Sequence, residues 1–197
     1  MEDPEDQAQI PHPRFGFYGV IDERFNISLV EELATRRPDW NFIFIGPVAK
    51  VDPAQLPKSS NIYYLGGKNY KKLPSYLSGW DVAILPFALN ESTKYISPTK
   101  TPEYLAAGKP VISTSITDVV NPYGKKGLVH IADTAEEFIV EGEKILANKS
   151  DAQWSKKVDE FLSDISWNKT WRRMATIIDD TLQQKAEIDK NKSKVYV

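Results

Sequence analysis

The stretch SPTKTPEYLAAGKPVIST, residues 97–114, contains a helix, the end of that helix and a buried strand. Ser97 and Thr101 are both good N-cap residues. Each is followed by a proline, which suits the first helical position because no N–H donor is needed there. The sequence leaves open which of the two begins the helix. Gly108 predicts a left-handed helix end and Pro110 prevents the helix from resuming, so PVIST is typical of a strand.

The start of this helix has the chemistry of an anion site. A helix N-terminus carries unpaired N–H groups and a partial positive charge, and Lys100 adds a full charge beside them. Glu103 lies in the same first turn, where its carboxylate can accept hydrogen bonds from hydroxyl groups. Local chemistry alone favours a plainer alternative, in which these residues only start a helix and the Lys–Glu pair is solvated.

Apolar runs of strand length alternate with helical patterns along the rest of the chain. Predicted strands cover residues 14–21, 41–46, 61–67, 81–87, 110–114 and 128–132. Helical spacing predicts helices from about residue 26 to 38, within 70–80, after Asp133 or Thr134, from Ser150 and from Trp167 onward. This alternation predicts an α/β fold: a doubly wound, Rossmann-like parallel sheet of about six strands with a C-terminal helical extension.

In such a sheet, the carboxyl ends of the strands meet at one edge, where ligands bind. The loops that begin near Gly19, Leu65 and Asn90, and the helix that begins near Pro98, all follow predicted strands. We therefore expect these four segments to converge on a single site.

Composition and charge limit the function classes. The chain has 197 residues, of which 41% are hydrophobic and 26% are charged, as expected for a globular protein. A net charge of −2 argues against a nucleic-acid partner. With no cysteine, Cys-ligated zinc is excluded, and because His12 and His130 lie far apart, a histidine metal site or triad is not expected. No other metal site and no cofactor are expected. The acidic N-terminus does not resemble a signal peptide, so a cytoplasmic location is expected.

The two ends of the chain are predicted to lie outside the main domain. Residues 1–13 are charged, contain prolines and lack periodicity, which indicates a linker or flexible arm. The main domain is expected to cover residues 14–182, and residues 183–197 are expected to form a frayed charged tail. The aromatic stripe that starts at Trp167 is most simply interpreted as core packing.

The run P-x-K-x-x-E-Y-L-A-A-G-K-P-V-I, residues 98–112, resembles the donor-nucleotide segment of retaining glycosyltransferases with the two-domain GT-B fold. The resemblance is to family 4, or glycosyl transferases group 1. It implies that Glu103 binds the nucleotide ribose. It also implies that Lys100 binds the diphosphate together with the backbone of Ser97, Pro98 and Thr99.

The resemblance extends to two further loops. Residues 19–24 are similar to the family's first loop, where a basic residue reaches the diphosphate. In the family, the loop after the third strand contacts the base. The substrate-binding residues that these likenesses imply are Gly19, Asp22, Arg24, Leu65, Gly66 and Gly67, and Asn90 is a candidate partner for a sugar hydroxyl. Tyr95 stands where the family often has another Glu near the donor sugar, and the nearby Glu91 is out of register, so the residues that contact the sugar stay open.

Each of these assignments has a plainer alternative. Arg24 can be a surface arginine paired with Asp22 or Glu23, since such pairs are common. A Gly-Gly pair at the end of a strand is mostly a turn, and Asn90 is as typical of a turn as of a sugar site.

The resemblance implies the donor-binding half of a metal-independent, retaining glycosyltransferase that uses a nucleoside-diphosphate sugar. Uridine is expected as the base from family frequency, and bacterial polysaccharide biosynthesis as the setting. A missing N-terminal GT-B domain would bind the acceptor, and the full-length enzyme could make a peripheral membrane contact. In the family a similar last helix crosses back to that domain, so the resemblance also implies that part of the stripe from Trp167 is exposed in an isolated half. No catalytic residue is assigned, and this fragment alone is expected to bind the donor with little or no transfer. The alternatives are a noncatalytic nucleotide- or phosphate-binding module and an interaction domain that docks through its tryptophan-rich end.

Overall fold

A computed structural model describes residues 2–148 and 151–195, and describes side chains as far as residue 186. It contains one parallel sheet in the order β3-β2-β1-β4-β5-β6. The strands are β1 Arg14–Tyr18, β2 Asn41–Ile45, β3 Ile62–Gly66, β4 Val82–Leu85, β5 Val111–Ser113 and β6 His130–Ile131. The predicted doubly wound sheet is confirmed, and its strand order reverses between β1 and β4.

Helices connect the strands on both sides of this reversal. They are α1 Glu5–Ala8, α2 Ile27–Arg36, α3 Leu73–Ser78, α4 Lys100–Ala106, α5 Thr117–Val119, α6 Ala135–Ala147, α7 Ala152–Ser163 and α8 Trp167–Val195. Asn26 caps α2 by accepting from the Leu29 amide, and Thr134 forms a capping box with Glu137 at the start of α6.

The structure adds short helical segments that the sequence did not predict. The predicted helix within residues 70–80 is a 3-10 turn, Tyr70–Lys72, followed by α3. A further 3-10 turn, Pro53–Gln55, lies in the loop after β2. Before β6, the chain forms α5 and an irregular helical segment, Val120–Gly124.

The core is built on β1, β2 and β4, in which every residue is buried. These strands are continuous apolar runs because helices cover both faces of a parallel sheet. Aromatic rings fill the space around β1: Phe15 stacks on Trp40 with ring centroids 4.1 Å apart. Gly16 leaves room for the Trp80 ring, since a Cβ at this position would lie 2.0 Å from it. Close packing therefore fixes the strand whose carboxyl end begins the site.

The residues before β1 pack against the sheet in this structure. Gln7 is 0% exposed and Ile10 is 4% exposed. The buried Arg14 guanidinium donates to the Asp3 carboxylate at 2.6 Å and to the Ile10 carbonyl at 2.7 Å. Residues 3–10 are thus held by buried hydrogen bonds rather than free, while the domain boundary at residue 13 stays a prediction.

We expect Gln7→Ala to destabilise the protein by about 2–4 kcal/mol, because it removes three hydrogen bonds from a buried position. The Gln7 amide donates to the Tyr76 carbonyl at 2.9 Å and to Asp3 at 2.7 Å, and its oxygen accepts from the Trp80 indole at 2.9 Å. Urea unfolding measures the change. Gln9→Ala is the matched control because Gln9 is exposed, and equal stabilities for the two variants would contradict this prediction.

The chain divides into two compact units, Met1–Val158 and Asp159–Val197, whereas the predicted domain runs from 14 to 182. In the second unit, α8 carries large apolar side chains that are between 51% and 83% exposed: Trp167, Trp171, Met174, Ile177, Ile178 and Leu182. Within the second unit these side chains therefore do not form a packed core, contrary to the core-packing interpretation of this stripe. The backbone of residues 183–195 continues α8, and the last two residues of the expected frayed tail lie outside the described residues. Among the described helices, none combines the length and apolarity needed to span a membrane.

Candidate functional site

Lys100, the first residue of α4, lies across the carboxyl end of β1. Gly19 follows β1 with φ 150°, and a Cβ at Gly19 would lie 2.4 Å from Lys100 Cε and 3.0 Å from Nζ. The Lys100 ammonium is also 5.7 Å from the centroid of the Phe17 ring. A glycine at position 19 therefore lets the lysine stem lie directly on the strand end.

The charges predicted for the site act on one another. Burial lowers the pKa of Lys100, and the nearby positive charge of Arg24 lowers it further. The carboxylates of Glu103 and Asp22 act in the opposite direction and raise this pKa. Arg24, Lys100, Glu103 and Asp22 thus form one electrostatic cluster. The Lys100 ammonium makes no hydrogen bond or ion pair with any residue that the structure describes.

The chain just before α4 leaves backbone donors free. Neither Ser97 nor Thr101 begins the helix. The N-cap is Thr99, whose side chain makes no capping bond, and the Thr101 amide donates to the Pro98 carbonyl at 3.2 Å. Across residues 2–148 and 151–195, the amides of Ser97, Thr99 and Lys100 find no acceptor. Because α4 is short, the positive charge here comes mainly from Lys100 and these local N–H groups rather than from a long helix dipole.

Glu103 faces two tyrosines. The Tyr18 hydroxyl donates a hydrogen bond to Glu103 Oε2, and the Tyr70 hydroxyl lies 3.4 Å from Oε1. Tyr18 ends β1, and Tyr70 begins the 3-10 turn after the β3 loop. The sequence pattern indicates neither tyrosine as a site residue. Tyr18 belongs to an apolar run that indicated only burial, and Tyr70 carried no signal of a site.

Arg24 forms the ion pair that was its plainer alternative. Its Nε donates to both Asp22 carboxylate oxygens, at 2.9 and 3.1 Å, and its Nη2 donates to Oδ2. These bonds hold the pKa of Asp22 below its usual range, although burial of the carboxylate opposes them. Within the described part of the chain Nη1 makes no bond, so Arg24 keeps donors for a second anion.

The β3 loop is open. Gly66 and Gly67 are exposed, and no atom lies within 4 Å of a Cβ built on either of them. Leu65 is half-buried beside them. Because Tyr70 reaches from this loop toward Glu103, the loop lies at the same edge of the sheet as α4.

The loop after β4 is tied to Arg24, whose carbonyl accepts from the Ala88 amide at 2.8 Å. Asn90 is exposed, and its Oδ1 accepts from the amide and hydroxyl of Ser92 at 2.9 and 2.6 Å. The Asn90 side chain therefore stabilises a turn, which was the plainer alternative for this residue. An open cavity of about 260 Å³ lies between this loop and the residues after β5. Asn90 thus lines this cavity and does not belong to the electrostatic cluster of Arg24 and Lys100.

Comparison with known proteins identifies the family. The protein-family model described as Glycosyl transferases group 1 matches residues 13–148. The chain belongs to this family. It is also 28% identical over 165 residues to TuaH of Bacillus subtilis strain 168, which is named provisionally as a teichuronic acid biosynthesis glycosyltransferase. That match covers 81% of this chain and 41% of the relative. The chain thus spans less than half of the length of this relative.

Solved structures show the same fold at low identity. HepE of Anabaena, solved in complex with UDP and glucose, has a TM-score of 0.62 at 13% identity and matches 90% of this chain and 52% of its own. The C-terminal domain of LpcC, a group 1 family protein from Francisella tularensis, has a TM-score of 0.55 at 15% identity and matches 80% of this chain and 89% of its own. This chain accordingly has the fold of a C-terminal GT-B glycosyltransferase domain, and the family resemblance of residues 98–112 is confirmed.

Proposed function

We propose that this chain is the donor-binding half of a glycosyltransferase that takes a sugar from a nucleoside-diphosphate sugar, with uridine as the base. The observation that carries the proposal is the placement of the unpaired Lys100 ammonium over Gly19, close to the charges of Arg24 and Glu103. A diphosphate would be the negatively charged partner that the Lys100 ammonium does not find among the described residues. Support for uridine comes from the HepE structure, which shares the fold and contains UDP.

The proposed chemistry is electrostatic. When the bond between the anomeric carbon and the diphosphate oxygen breaks, negative charge grows on the leaving phosphate. In this proposal, the donors that stabilise this charge without a metal are Lys100, the free Nη1 of Arg24 and the amides of Ser97, Thr99 and Lys100. Because a bound diphosphate favours the charged lysine, binding should also raise the pKa of Lys100 from its lowered value.

The acceptor and the rest of the reaction belong, in this proposal, to an N-terminal domain of a longer protein. Transfer with retention of anomeric configuration is proposed from the family alone. The provisional role of TuaH in teichuronic acid biosynthesis supports bacterial polysaccharide biosynthesis as the setting. The domain described here is expected to bind the donor but to transfer little sugar by itself.

Isothermal titration calorimetry with UDP, UMP and GDP tests the donor site. We expect UDP to bind most tightly, and Glu103→Gln to weaken UDP binding about tenfold because a charged acceptor for the ribose hydroxyls is lost. The matched control is Glu91→Gln, whose side chain is 90% exposed on the neighbouring loop and should leave the affinity unchanged. If none of these nucleotides binds, or if Glu103→Gln binds UDP like the parent, the proposal is wrong.

One observation favours a noncatalytic nucleotide-binding module as the second candidate. Tyr95, at the position where the family often has a Glu near the donor sugar, is 85% exposed and offers no carboxylate. Both candidates require UDP binding by this domain. A sugar-transfer assay on the full-length protein separates them, because only the enzyme consumes the donor.

A further inference from the structure

Glu103 is in contact with two tyrosines whose bonds differ in strength. The Tyr18 hydroxyl donates a hydrogen bond to Oε2, whereas the Tyr70 hydroxyl is 3.4 Å from Oε1. An O–H···O bond is usually 2.5–3.0 Å long, so the Tyr70 contact is weak. The two oxygens of this carboxylate are therefore not equivalent.

The two tyrosines also differ in how firmly they are held. Tyr18 is 8% exposed, and its ring packs edge-on against Tyr104 with centroids 4.9 Å apart. Its backbone N–H donates to the Tyr104 hydroxyl at 3.0 Å, which fixes the main chain as well. Burial and the bond to Glu103 raise the pKa of Tyr18, so its hydroxyl stays protonated and remains a donor. Tyr70, in contrast, is 71% exposed.

We propose that Tyr18 is a positioning residue: it fixes Glu103 Oε2 so that Oε1 is presented to the ribose hydroxyls of a nucleoside diphosphate, which displace Tyr70. This inference rests on the proposed function and adds to it two residues that the motif does not contain. A carboxylate held by a rigid donor loses less rotamer freedom when it binds a ligand than one that turns freely. The ribose contact therefore depends on a tyrosine in the core of the domain.

The test compares the ribose selectivity of three proteins: the parent, Tyr18→Phe and Tyr70→Phe. Calorimetry with UDP, 2′-deoxy-UDP and 3′-deoxy-UDP gives the ratio of ribonucleotide to deoxynucleotide affinity, and a purely structural role of Tyr18 would not change this ratio. We expect the parent to prefer UDP over one of the deoxynucleotides about tenfold or more. Tyr18→Phe should reduce this preference at least threefold. Tyr70→Phe should keep the preference and bind UDP as tightly as the parent or somewhat more tightly, because a competing contact is gone.

The outcomes separate this inference from the function beneath it. If Tyr18→Phe keeps the parental selectivity, or if Tyr70→Phe loses selectivity to the same extent, the positioning role is overturned while the donor site stands. If the parent binds no UDP, the proposed function and this inference both fail. Near-ultraviolet circular dichroism of Tyr18→Phe checks that its aromatic core is intact. Should that core be altered, the double variant Tyr18→Phe/Glu103→Gln decides: selectivity below that of Glu103→Gln alone overturns the inference, and equal selectivity supports it.

Discussion

Lys100→Met should weaken UDP binding tenfold or more and, at the same time, raise the melting temperature of the ligand-free protein. The methionine keeps most of the apolar stem that lies over Gly19 but removes the ammonium. A charge-assisted hydrogen bond is worth about 1.5–3 kcal/mol, which corresponds to a loss of affinity of tenfold or more. Calorimetry measures the affinity, and thermal unfolding followed by circular dichroism measures the stability.

The stabilising half of this prediction has a definite pH dependence. Burial lowers the pKa of Lys100 from its ordinary value of 10.5, so folding disfavours the charged form. The destabilisation is fully present below the lowered folded-state pKa and disappears as the pH rises past 10.5, where the lysine is neutral in both states. The gain in melting temperature of Lys100→Met should therefore be largest near neutral pH and shrink toward pH 10.5.

Lys109 provides the contrast for Lys100. Burial lowers its pKa too, but its ammonium donates to the carbonyls of Ser78 and Trp80 at 2.8 and 2.7 Å. Lys109→Met removes both bonds, so it should lower the melting temperature and leave UDP binding unchanged. If Lys100→Met is also destabilising, or if it binds UDP like the parent, then Lys100 is an ordinary structural lysine. The opposite signs follow from one difference, namely whether the buried charge has partners within the protein.

The sequence predicts the sheet well because burial on both faces turns each central strand into an unbroken apolar run. The same rule explains which side-chain contacts the sequence does not predict. An apolar run such as residues 14–21 shows that Tyr18 is buried but not that its hydroxyl points to Glu103, which lies far along the chain. Gln7 stands in an acidic segment without periodicity, and only the folded contact with Trp80 shows that it is buried.

The start of α4 and the stripe on α8 show two further limits of local patterns. Ser97 and Thr101 both match the preference for a capping residue, yet the helix begins between them, at Lys100. Thr101 is already inside the helix, and its amide donates to the Pro98 carbonyl. Helical spacing of Trp167 and Trp171 predicts a helix correctly, but it cannot show whether a partner covers that face. For the site, the motif predicts Lys100 and Glu103, and the tertiary structure supplies their neighbours.

The second large effect is expected for Gly46→Ala, which should destabilise the protein by about 3 kcal/mol or more. Gly46 follows β2 with φ 148°, and a Cβ there would lie 1.9 Å from the Gly19 carbonyl oxygen and 2.7 Å from its carbon. Both obstacles are backbone atoms, which cannot turn aside. The two segments are also bonded into the sheet, since the Gly19 amide donates to the Ile45 carbonyl at 2.8 Å and the Gly46 amide to the Gly66 carbonyl at 2.9 Å.

For a domain of this size, 1 kcal/mol corresponds to about 2–4 °C, so the melting temperature should fall by roughly 10 °C. Gly67→Ala is the control, because a Cβ there meets nothing within 4 Å, and its effect should stay within about 0.5 kcal/mol. Gly66→Ala tests the backbone conformation alone: its φ is 67° but the space around it is open, and we expect a loss of about 1 kcal/mol. We expect the loss of stability to be largest for the Ala variant of Gly46, smaller for Gly66 and smallest for Gly67. This order separates the effect of steric contact from that of conformational strain. If Gly46→Ala destabilises the protein no more than Gly66→Ala does, the loop after β2 does not support the strand end on which Lys100 lies.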